Sequence, residues 1–233
     1  IIGLPVALIA IQPDLGTAVL VLGAGFFVIF FAGLSWKLIL PAGLCGLLVV
    51  IGVIVFQDRI CAPEVNWPGL HDYQKHRVCT LLDPSSDPLG KGFHTIQSTI
   101  AVGSGGFLGK GWRNGTQTHL DFLPERHTDF ILAVISEEFG LAGVLLVAVL
   151  YCLLIARGLM IASNAPNLFT RLLAGAVTMI FFTYAFVNMG MISGILPVVG
   201  VPLPMVSYGG TALVTLCLGI GILMSIQKHH RHG

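Results

Sequence analysis

The fold depends on one stretch of the sequence, Gln117-Thr-His-Leu-Asp-Phe-Leu-Pro-Glu-Arg-His-Thr-Asp129-Phe-Ile-Leu-Ala-Val-Ile-Ser-Glu137-Glu138. A polar, glycine-rich region precedes it, and a long apolar run follows it. Asp129 stands at the joint, and Glu137 and Glu138 lie inside the apolar part. Carboxylates at a membrane boundary are costly unless the protein uses them. The pattern therefore predicts a functional site at the mouth of a membrane-spanning helix.

The composition is that of a membrane protein. Of the 233 residues, 55% are hydrophobic and only 10% are charged, whereas about 25% are charged in a typical soluble domain. The net charge of +1 excludes the strongly basic surface of a nucleic-acid-binding protein. Because the chain starts at Ile1 inside an apolar run, without a Met or a basic signal-peptide start, we expect it to be the C-terminal part of a longer protein.

Six apolar segments predict an all-α, polytopic helix bundle. The first is too short to cross a bilayer, and the other five are near or above the ~20 residues that a span needs. The fourth is longer than a span requires, so part of it should tilt or project. All belong to one predicted integral membrane domain, residues 1–233. The segments are 1–11, 15–34, 38–56, 130–162, 168–195 and 211–226.

The charges outside residues 57–129 predict the orientation. If the spans alternate, the basic residues there all fall on one side of the membrane, in turns and a tail that contain no Asp or Glu. The positive-inside rule makes that side cytoplasmic. The loop of residues 57–128 is then extracytoplasmic. The basic residues are Lys37, Arg157, Arg171, Lys228 and Arg231.

The extracytoplasmic loop is too long to be structureless. Residues 71–82 can form an amphipathic helix lying on the membrane surface. Residues 83–88 predict a turn cluster, residues 95–102 a short helix, and residues 103–112 a glycine-rich loop that ends on an aromatic side chain.

Five cysteines divide between spans and loop. Cys45, Cys152 and Cys217 lie in predicted spans, where we expect small buried side chains. Cys61 and Cys79 share the extracytoplasmic loop. A disulfide in an oxidising compartment and two free thiols are both open there.

Two interpretations of Asp129 are equally compatible with the sequence. Thr128 or Asp129 could cap the following helix, or Asp129 could be a general base at the mouth of a cavity. Glu137 and Glu138 are either a structural hydrogen-bonding site or participants in the reaction. On one continuous helix, Glu137 lies about 80° from Asp129 and Glu138 nearly opposite. Glu137 is therefore predicted to share the cavity of Asp129.

The basic residues near this joint are candidates for binding phosphate, although a solvated loop face is the simpler explanation for any single one. They are Lys91, Lys110, Arg113 and Arg126. Residues 103–109 do not match a P-loop, because no Gly-Lys-Ser/Thr follows at the required spacing. His119 and His127 are eight residues apart without a cysteine partner. That spacing is a poor zinc signature, and we predict no metal ligands there.

A proline-broken stretch, Asn188 to Ala212, joins the fifth and sixth segments. A regular helix cannot continue through Pro197, Pro202 and Pro204. Irregular backbone at membrane depth is tolerated only against protein or a water-filled cavity. Because this connection lies on the same side as Asp129, the two should meet and form a substrate groove.

Several motifs together resemble the SEDS family, and within it the RodA branch, over nearly the whole chain. One departure is Met189, where the family usually has Ile or Val. A second is an apparent insertion at residues 58–69, which contains Cys61 and Trp67. The motifs are Leu123-Pro-Glu-Arg-His-Thr-Asp-Phe130, Gln12-Pro-Asp-Leu-Gly16, His71-Asp-Tyr-Gln74, Leu82-Asp-Pro-Ser-Ser-Asp-Pro-Leu-Gly90 and Asn188…Pro197…Gly200…Pro202…Ser207-Tyr-Gly-Gly210.

The resemblance implies a SEDS-type bundle of ten transmembrane helices, about four of them before Ile1. It implies a bacterial inner-membrane peptidoglycan glycosyltransferase that polymerises lipid II for cell elongation and rod shape, with its active site on the extracytoplasmic face. The implied partners are a class B penicillin-binding protein, which is a transpeptidase, and other membrane proteins of the elongation complex. The alternatives are a lipid II flippase and a non-catalytic scaffold for the penicillin-binding protein.

The family's essential Asp maps onto Asp129, which would be the general base. Cations must stabilise the departing pyrophosphate. The basic candidates named above are expected to do this, and a divalent cation, Mg or Mn, could help. No cofactor is certain. The expected supporting residues are Glu137, Glu138, His127 and Ser207.

Overall fold

The computed structural model describes residues 2–12, 14–62, 65, 72–83, 90–119 and 125–230. The side chains of Lys91 and His119, most of the predicted turn at 83–88, and Trp67 lie outside the described residues. The described part contains ten helices and no strand. They are α1 (Gly3–Ile11), α2 (Leu15–Phe31), α3 (Trp36–Val55), α4 (Gln57–Ile60), α5 (Asp72–Leu82), α6 (Lys91–Ser104), α7 (Thr116–His119), α8 (Ile131–Ser163), α9 (Leu168–Ile192) and α10 (Gly210–His230).

Four helices, α3, α8, α9 and α10, are long and apolar enough to cross a membrane. They confirm the third to sixth predicted segments. The second segment is shorter than predicted, because α2 ends at Phe31 after 17 residues. The side chain of Asp14 caps its first turn, accepting bonds from the backbone nitrogen and hydroxyl of Thr17 at 3.0 and 2.6 Å. These elements form an all-helical membrane bundle.

Helix α9 is the centre of the bundle, since it packs against α2, α8 and α10. Small residues allow these approaches: a Cβ at Gly158 on α8 would clash with Thr178 on α9. Helix α3 differs, because it has no buried residue in the described structure. The expectation that Cys45, Cys152 and Cys217 are buried is wrong: all three are exposed free thiols. An apolar thiol is compatible with the outer face of a span.

The fourth segment is not one regular helix. Gly140 interrupts α8 with a φ of 65° and a ψ of −161°. The loop between α6 and α7 fills the break: the amides of Lys110 and Gly111 donate to the carbonyls of Glu137 and Glu138 at 3.0 and 2.9 Å. Beyond the break, the amides of Leu141 and Ala142 donate to the carbonyls of Gly106 and Phe107 at 2.9 and 3.1 Å. These bonds satisfy backbone groups that the break would otherwise leave unpaired.

The region before α6 is also tied to the bundle. Cys61 and Cys79 form a disulfide, which decides the alternative that the sequence left open. The ammonium of Lys75 donates to the carbonyls of Ala62 and Val65 at 2.6 and 2.7 Å. The predicted amphipathic helix is α5, and α5 packs on α6. One side of α5 is therefore covered by protein, and its contact with the membrane surface stays a prediction.

Candidate functional site

The residues before α8 and the proline-broken connection after α9 meet, as the sequence predicted. Three consecutive carbonyls are each bound by a group from that connection or the end of α9. The amide of Tyr208 donates to His127 O at 2.9 Å, and the hydroxyl of Ser207 donates to Thr128 O at 2.5 Å. The amide nitrogen of Asn188 donates to Asp129 O at 2.8 Å. The backbone that carries Asp129 is thus held by residues 59 to 81 positions further along the chain.

Asn188 is fully buried, with an exposed fraction of 0%. Its amide nitrogen also donates to Val201 O at 2.7 Å, so the side chain joins the Asp129 segment to the connection. Both acceptors are carbonyls, which fixes the orientation of the amide. In the part of the chain that the structure describes, its Oδ1 atom is buried without a partner. A buried acceptor without a hydrogen bond destabilises the folded protein.

The carboxylate of Asp129 lies against the backbone of Gly200. Gly200 has a φ of +76°, and a Cβ there would approach Oδ2 of Asp129 to 3.3 Å. A side chain at this position would therefore be strained and would press on the carboxylate. Glycine leaves the space beside Asp129 open.

Asp129 does not cap α8. The N-cap residue is Phe130, and no side chain caps this end of the helix. The hydroxyl of Thr128 instead donates to the carbonyl of Glu125 at 3.1 Å. The capping explanation for both residues is therefore wrong, because residues 125–130 form turns and the N-cap position falls on Phe130.

The pKa of Asp129 is raised to about 6. Burial is the main cause, since it disfavours the charged carboxylate. The negative charge of Glu125 and a hydrogen bond with its side chain raise the pKa further. A carboxylate with this pKa is a stronger base than an ordinary Asp, and it is still mostly ionised at neutral pH.

Glu137 has a different environment. It is fully buried, and its Oε1 accepts from the ammonium of Lys110 at 2.7 Å, the hydroxyl of Thr116 at 3.0 Å and the amide of Gln117 at 3.1 Å. This ion pair fixes the loop to α8. The ammonium of Lys110, a predicted phosphate ligand, is therefore paired with a carboxylate in this structure.

A cleft of about 490 Å³ lies beside the Asp129 turn. Arg113 and Arg126 line it, together with the apolar first turns of α8. The Nε atom of Arg126 donates to Nε2 of His127 at 3.3 Å. Two guanidinium groups suit a phosphate or diphosphate, and the apolar wall suits a hydrocarbon chain. The lining residues are Trp112, Arg113, Arg126, His127, Ile131, Val134, Ile135, Glu138 and Phe139.

Glu138, and not Glu137, lines this cleft. Because Asp129 does not line this cleft either, the expectation that Glu137 shares a cavity with Asp129 stays a prediction. The helical angle behind it assumed one continuous helix from Asp129. The helix begins at Ile131, and the loop covers Glu137. Asp129 itself is outside the lining, on the Gly200 side of the same turn.

Sequence reasoning missed the roles of Asn188, Glu125 and Gly200. A polar Asn at the end of an apolar helix, and a glycine between two prolines, were the available signals. The described residues contain no group of three or more His, Cys, Asp or Glu that could hold a metal. Magnesium commonly uses one or two carboxylates together with substrate phosphates. Glu138 is the carboxylate in the cleft lining that could bind a divalent cation.

Comparisons with a family model and with curated proteins point to the same family. A family model described as "Cell cycle protein", FTSW_RODA_SPOVE, matches residues 1–232. The peptidoglycan glycosyltransferase MrdB of Escherichia coli K12 is 56% identical over 231 residues. That match covers 99% of this chain but 59% of the relative. The chain thus spans less than two thirds of the length of this curated relative.

Two solved structures are similar to this chain. One comes from a peptidoglycan synthase complex that coordinates polymerization and crosslinking; it has a TM-score of 0.70 and 36% identity, over 97% of this chain and 59% of that one. The other is the crystal structure of the rod shape determining protein RodA of Thermus thermophilus. It has a TM-score of 0.56 and 27% identity, over 97% of this chain and 53% of that one.

Proposed function

The chain belongs to the FtsW/RodA/SpoVE family of cell cycle proteins, and from this premise we propose that the full-length protein is a glycosyltransferase that polymerises lipid II into peptidoglycan strands. The proposal is carried by the environment of Asp129. Its carboxylate has a pKa of about 6, it does not cap the helix that follows, and it lies beside a cleft lined by two arginines. Together these are the parts needed to deprotonate a sugar hydroxyl next to a diphosphate.

The reaction joins two lipid-linked sugars. Asp129 accepts the proton of the 4-hydroxyl of the acceptor's GlcNAc, and that oxygen attacks C1 of the donor's MurNAc from the face opposite the diphosphate. The bond between C1 and the diphosphate oxygen breaks, and its electron pair leaves with undecaprenyl diphosphate. The new glycosidic bond has inverted configuration, and Asp129 later releases its proton to water. One base suffices, because a diphosphate leaves without a strong acid, unlike the alkoxide in sugar hydrolysis.

The cleft supplies the charge that the leaving group needs. Arg113 and Arg126 are assigned to the diphosphate, since both line the cleft and guanidinium groups bind phosphate oxygens in pairs. Lys110 is assigned to holding the loop through Glu137, and Lys91 keeps its proposed phosphate role. His127 and Ser207 support the turn that carries Asp129. A divalent cation bound near Glu138 would neutralise diphosphate charge.

The proposed setting is the bacterial inner membrane, with the site on the extracytoplasmic face. The basic residues at the opposite helix ends support this orientation. The solved peptidoglycan synthase complex, which coordinates polymerization and crosslinking, supports a crosslinking partner. We assign that partner to the class B penicillin-binding proteins.

The test uses the full-length protein purified with its partner and supplied with lipid II. Asp129→Asn should abolish glycan polymerisation while the complex stays folded and assembled. Asp58→Asn, which removes an exposed carboxylate on α4, should leave polymerisation unchanged. Normal polymerisation by a folded Asp129→Asn complex would refute the assignment of the base.

The same preparation separates the two alternatives. A flippase would transfer lipid II across vesicle membranes and polymerise nothing. A scaffold would do neither, and polymerisation in the complex would then require another polymerase and be insensitive to Asp129→Asn.

A further inference from the structure

The loop between α6 and α7 exposes large apolar side chains although it is not a membrane span. Phe107, Leu108 and Trp112 have exposed fractions of 66%, 77% and 70%. Exposed apolar residues are expected on spanning helices, where lipid covers them, but a contiguous group on a connecting loop marks an interaction surface. We define the apolar tip of the loop as Phe107, Leu108 and Trp112.

The tip is held rigidly at one height on α8. The carbonyl of Phe107 accepts from the amide of Ala142 at 3.1 Å. A Cβ at Gly109, whose φ is +78°, would overlap the carbonyl oxygen of Glu138. Only glycine permits this contact. The tip therefore cannot swing as a flexible tether, and its depth is fixed by the depth of the break at Gly140.

The length of α8 indicates that depth. Seventeen residues separate Gly140 from Arg157, which is about 26 Å of helix. The residues between them are uncharged, and an arginine side chain can extend several Å to reach the interface. The hydrocarbon core is about 30 Å thick. If Arg157 marks one boundary of the bilayer, the break and the tip lie at the other.

The charges of the loop suit the same environment. Residues 103–117 contain Lys110 and Arg113 but no Asp or Glu. Arg113 is exposed and follows Trp112 directly. Tryptophan is enriched at the boundary between headgroups and hydrocarbon, and a guanidinium binds phosphate groups of the kind that lipid headgroups carry there. Lys110 is paired with Glu137, so Arg113 is the cation of this loop that can face lipid. A surface that combines exposed aromatic and aliphatic side chains with an exposed arginine fits a lipid leaflet better than water.

We propose that the apolar tip inserts into the bilayer leaflet on its own side of the membrane and anchors the edge of the arginine-lined cleft there. Trp112 and Arg113 belong to both the loop and the cleft. The mouth of the cleft consequently opens at the level of lipid phosphates. On the proposed function, a lipid-linked diphosphate reaches the arginines along the leaflet without leaving the membrane. The insertion itself does not depend on that function.

The experiment measures the depth of Trp112 in a membrane. Trp36, Trp67 and every tryptophan of the full-length protein outside residues 1–233 are replaced by Phe, so that Trp112 is the single tryptophan. The protein is reconstituted in vesicles of phosphatidylethanolamine and phosphatidylglycerol with brominated acyl chains. We expect strong quenching of Trp112 by bromines near the headgroups and weak quenching by aqueous acrylamide. The matched control keeps Trp36 instead, which is 68% exposed at the first turn of α3, where we also expect an interfacial depth.

A second variant tests the anchor itself. Phe107→Ser with Leu108→Ser should reduce the quenching of Trp112 by brominated lipid at least about twofold, because two of the three inserted side chains become polar. Strong acrylamide quenching of Trp112 would place the tip in water, and the absence of both kinds of quenching would place it under protein. Either result overturns the proposal. Because no readout requires catalysis, failed polymerisation would count only against the proposed function.

Discussion

Replacing Glu125 by Gln should move the pH dependence of polymerisation to lower pH. In the proposed mechanism Asp129 can accept a proton only when it is ionised, and its pKa is about 6. The rate should then fall to about half its plateau near pH 6 and to about one tenth at pH 5. Burial raises this pKa most, and the charge and hydrogen bond of Glu125 raise it further. Removing Glu125 removes only the second part.

The expected change in the pKa of Asp129 is small because Glu125 is exposed to solvent. The like charge and the hydrogen bond of an exposed Glu together contribute about 0.7 to 1.4 kcal/mol, so the pKa of Asp129 should fall by about 0.5 to 1 pH unit. The sign is fixed, because a neighbouring negative charge favours the protonated acid. At pH 5 the relative rate should rise from about one tenth to between about a quarter and a half of the plateau. Salt should lower the pKa in the wild type and have less effect in Glu125→Gln.

The assay is initial-rate polymerisation of lipid II by the full-length complex between pH 4.5 and 8. Asp58→Asn is the matched control, since it also removes an exposed carboxylate. It should leave the pH at which the rate falls in acid unchanged. His127→Gln is a second comparison, because it removes the imidazole two residues before Asp129. If the pH at which the rate falls in acid shifts in His127→Gln and not in Glu125→Gln, the assignment of the titrating group to Asp129 is refuted.

Three further predictions concern how the site is held. Asn188→Leu removes two hydrogen bonds of a buried amide, one of them to the carbonyl of Asp129, so kcat should fall at least about tenfold, whereas the equally buried Thr178→Val should lower only the melting temperature. Reduction of the Cys61 disulfide, whose cysteines are 18 residues apart, should destabilise the loop by about 3 kcal/mol; unchanged thermal unfolding under reductant would contradict this. Gly140→Ala should release the loop and speed its proteolysis, because φ there is 65°, while Gly221→Ala, with open space around it, should not.

Much of the fold could be predicted from local properties of the sequence. Hydropathy over about 20 residues decides whether a helix can span, and α3, α8, α9 and α10 were all predicted on that basis. The prolines at 197, 202 and 204 end regular helix wherever they occur. Alternating the spans placed this connection and Asp129 on the same side of the membrane, which predicted that the two would meet. The family motifs added the resemblance on which the role of Asp129 rests.

The carboxylates show where such reasoning stops. Helical angles from Asp129 favoured Glu137 over Glu138 for the cavity, but the angle is meaningful only along an unbroken helix. A loop almost 30 residues earlier covers Glu137 with the ammonium of Lys110, which leaves Glu138 to line the cleft. No pattern within α8 contains that information, because the choice depends on which segment packs against the helix.

The sequence alone therefore determined the class of the protein, four of its spans and the place of the candidate site, since those follow from composition, segment length and motifs along the chain. The tertiary structure decided how the site is built. The bonds from Asn188 to Asp129, from Ser207 to Thr128 and across the break at Gly140 join residues far apart in sequence. Such contacts arise only when distant segments pack together, and they hold both the turn that carries Asp129 and the loop that carries Arg113.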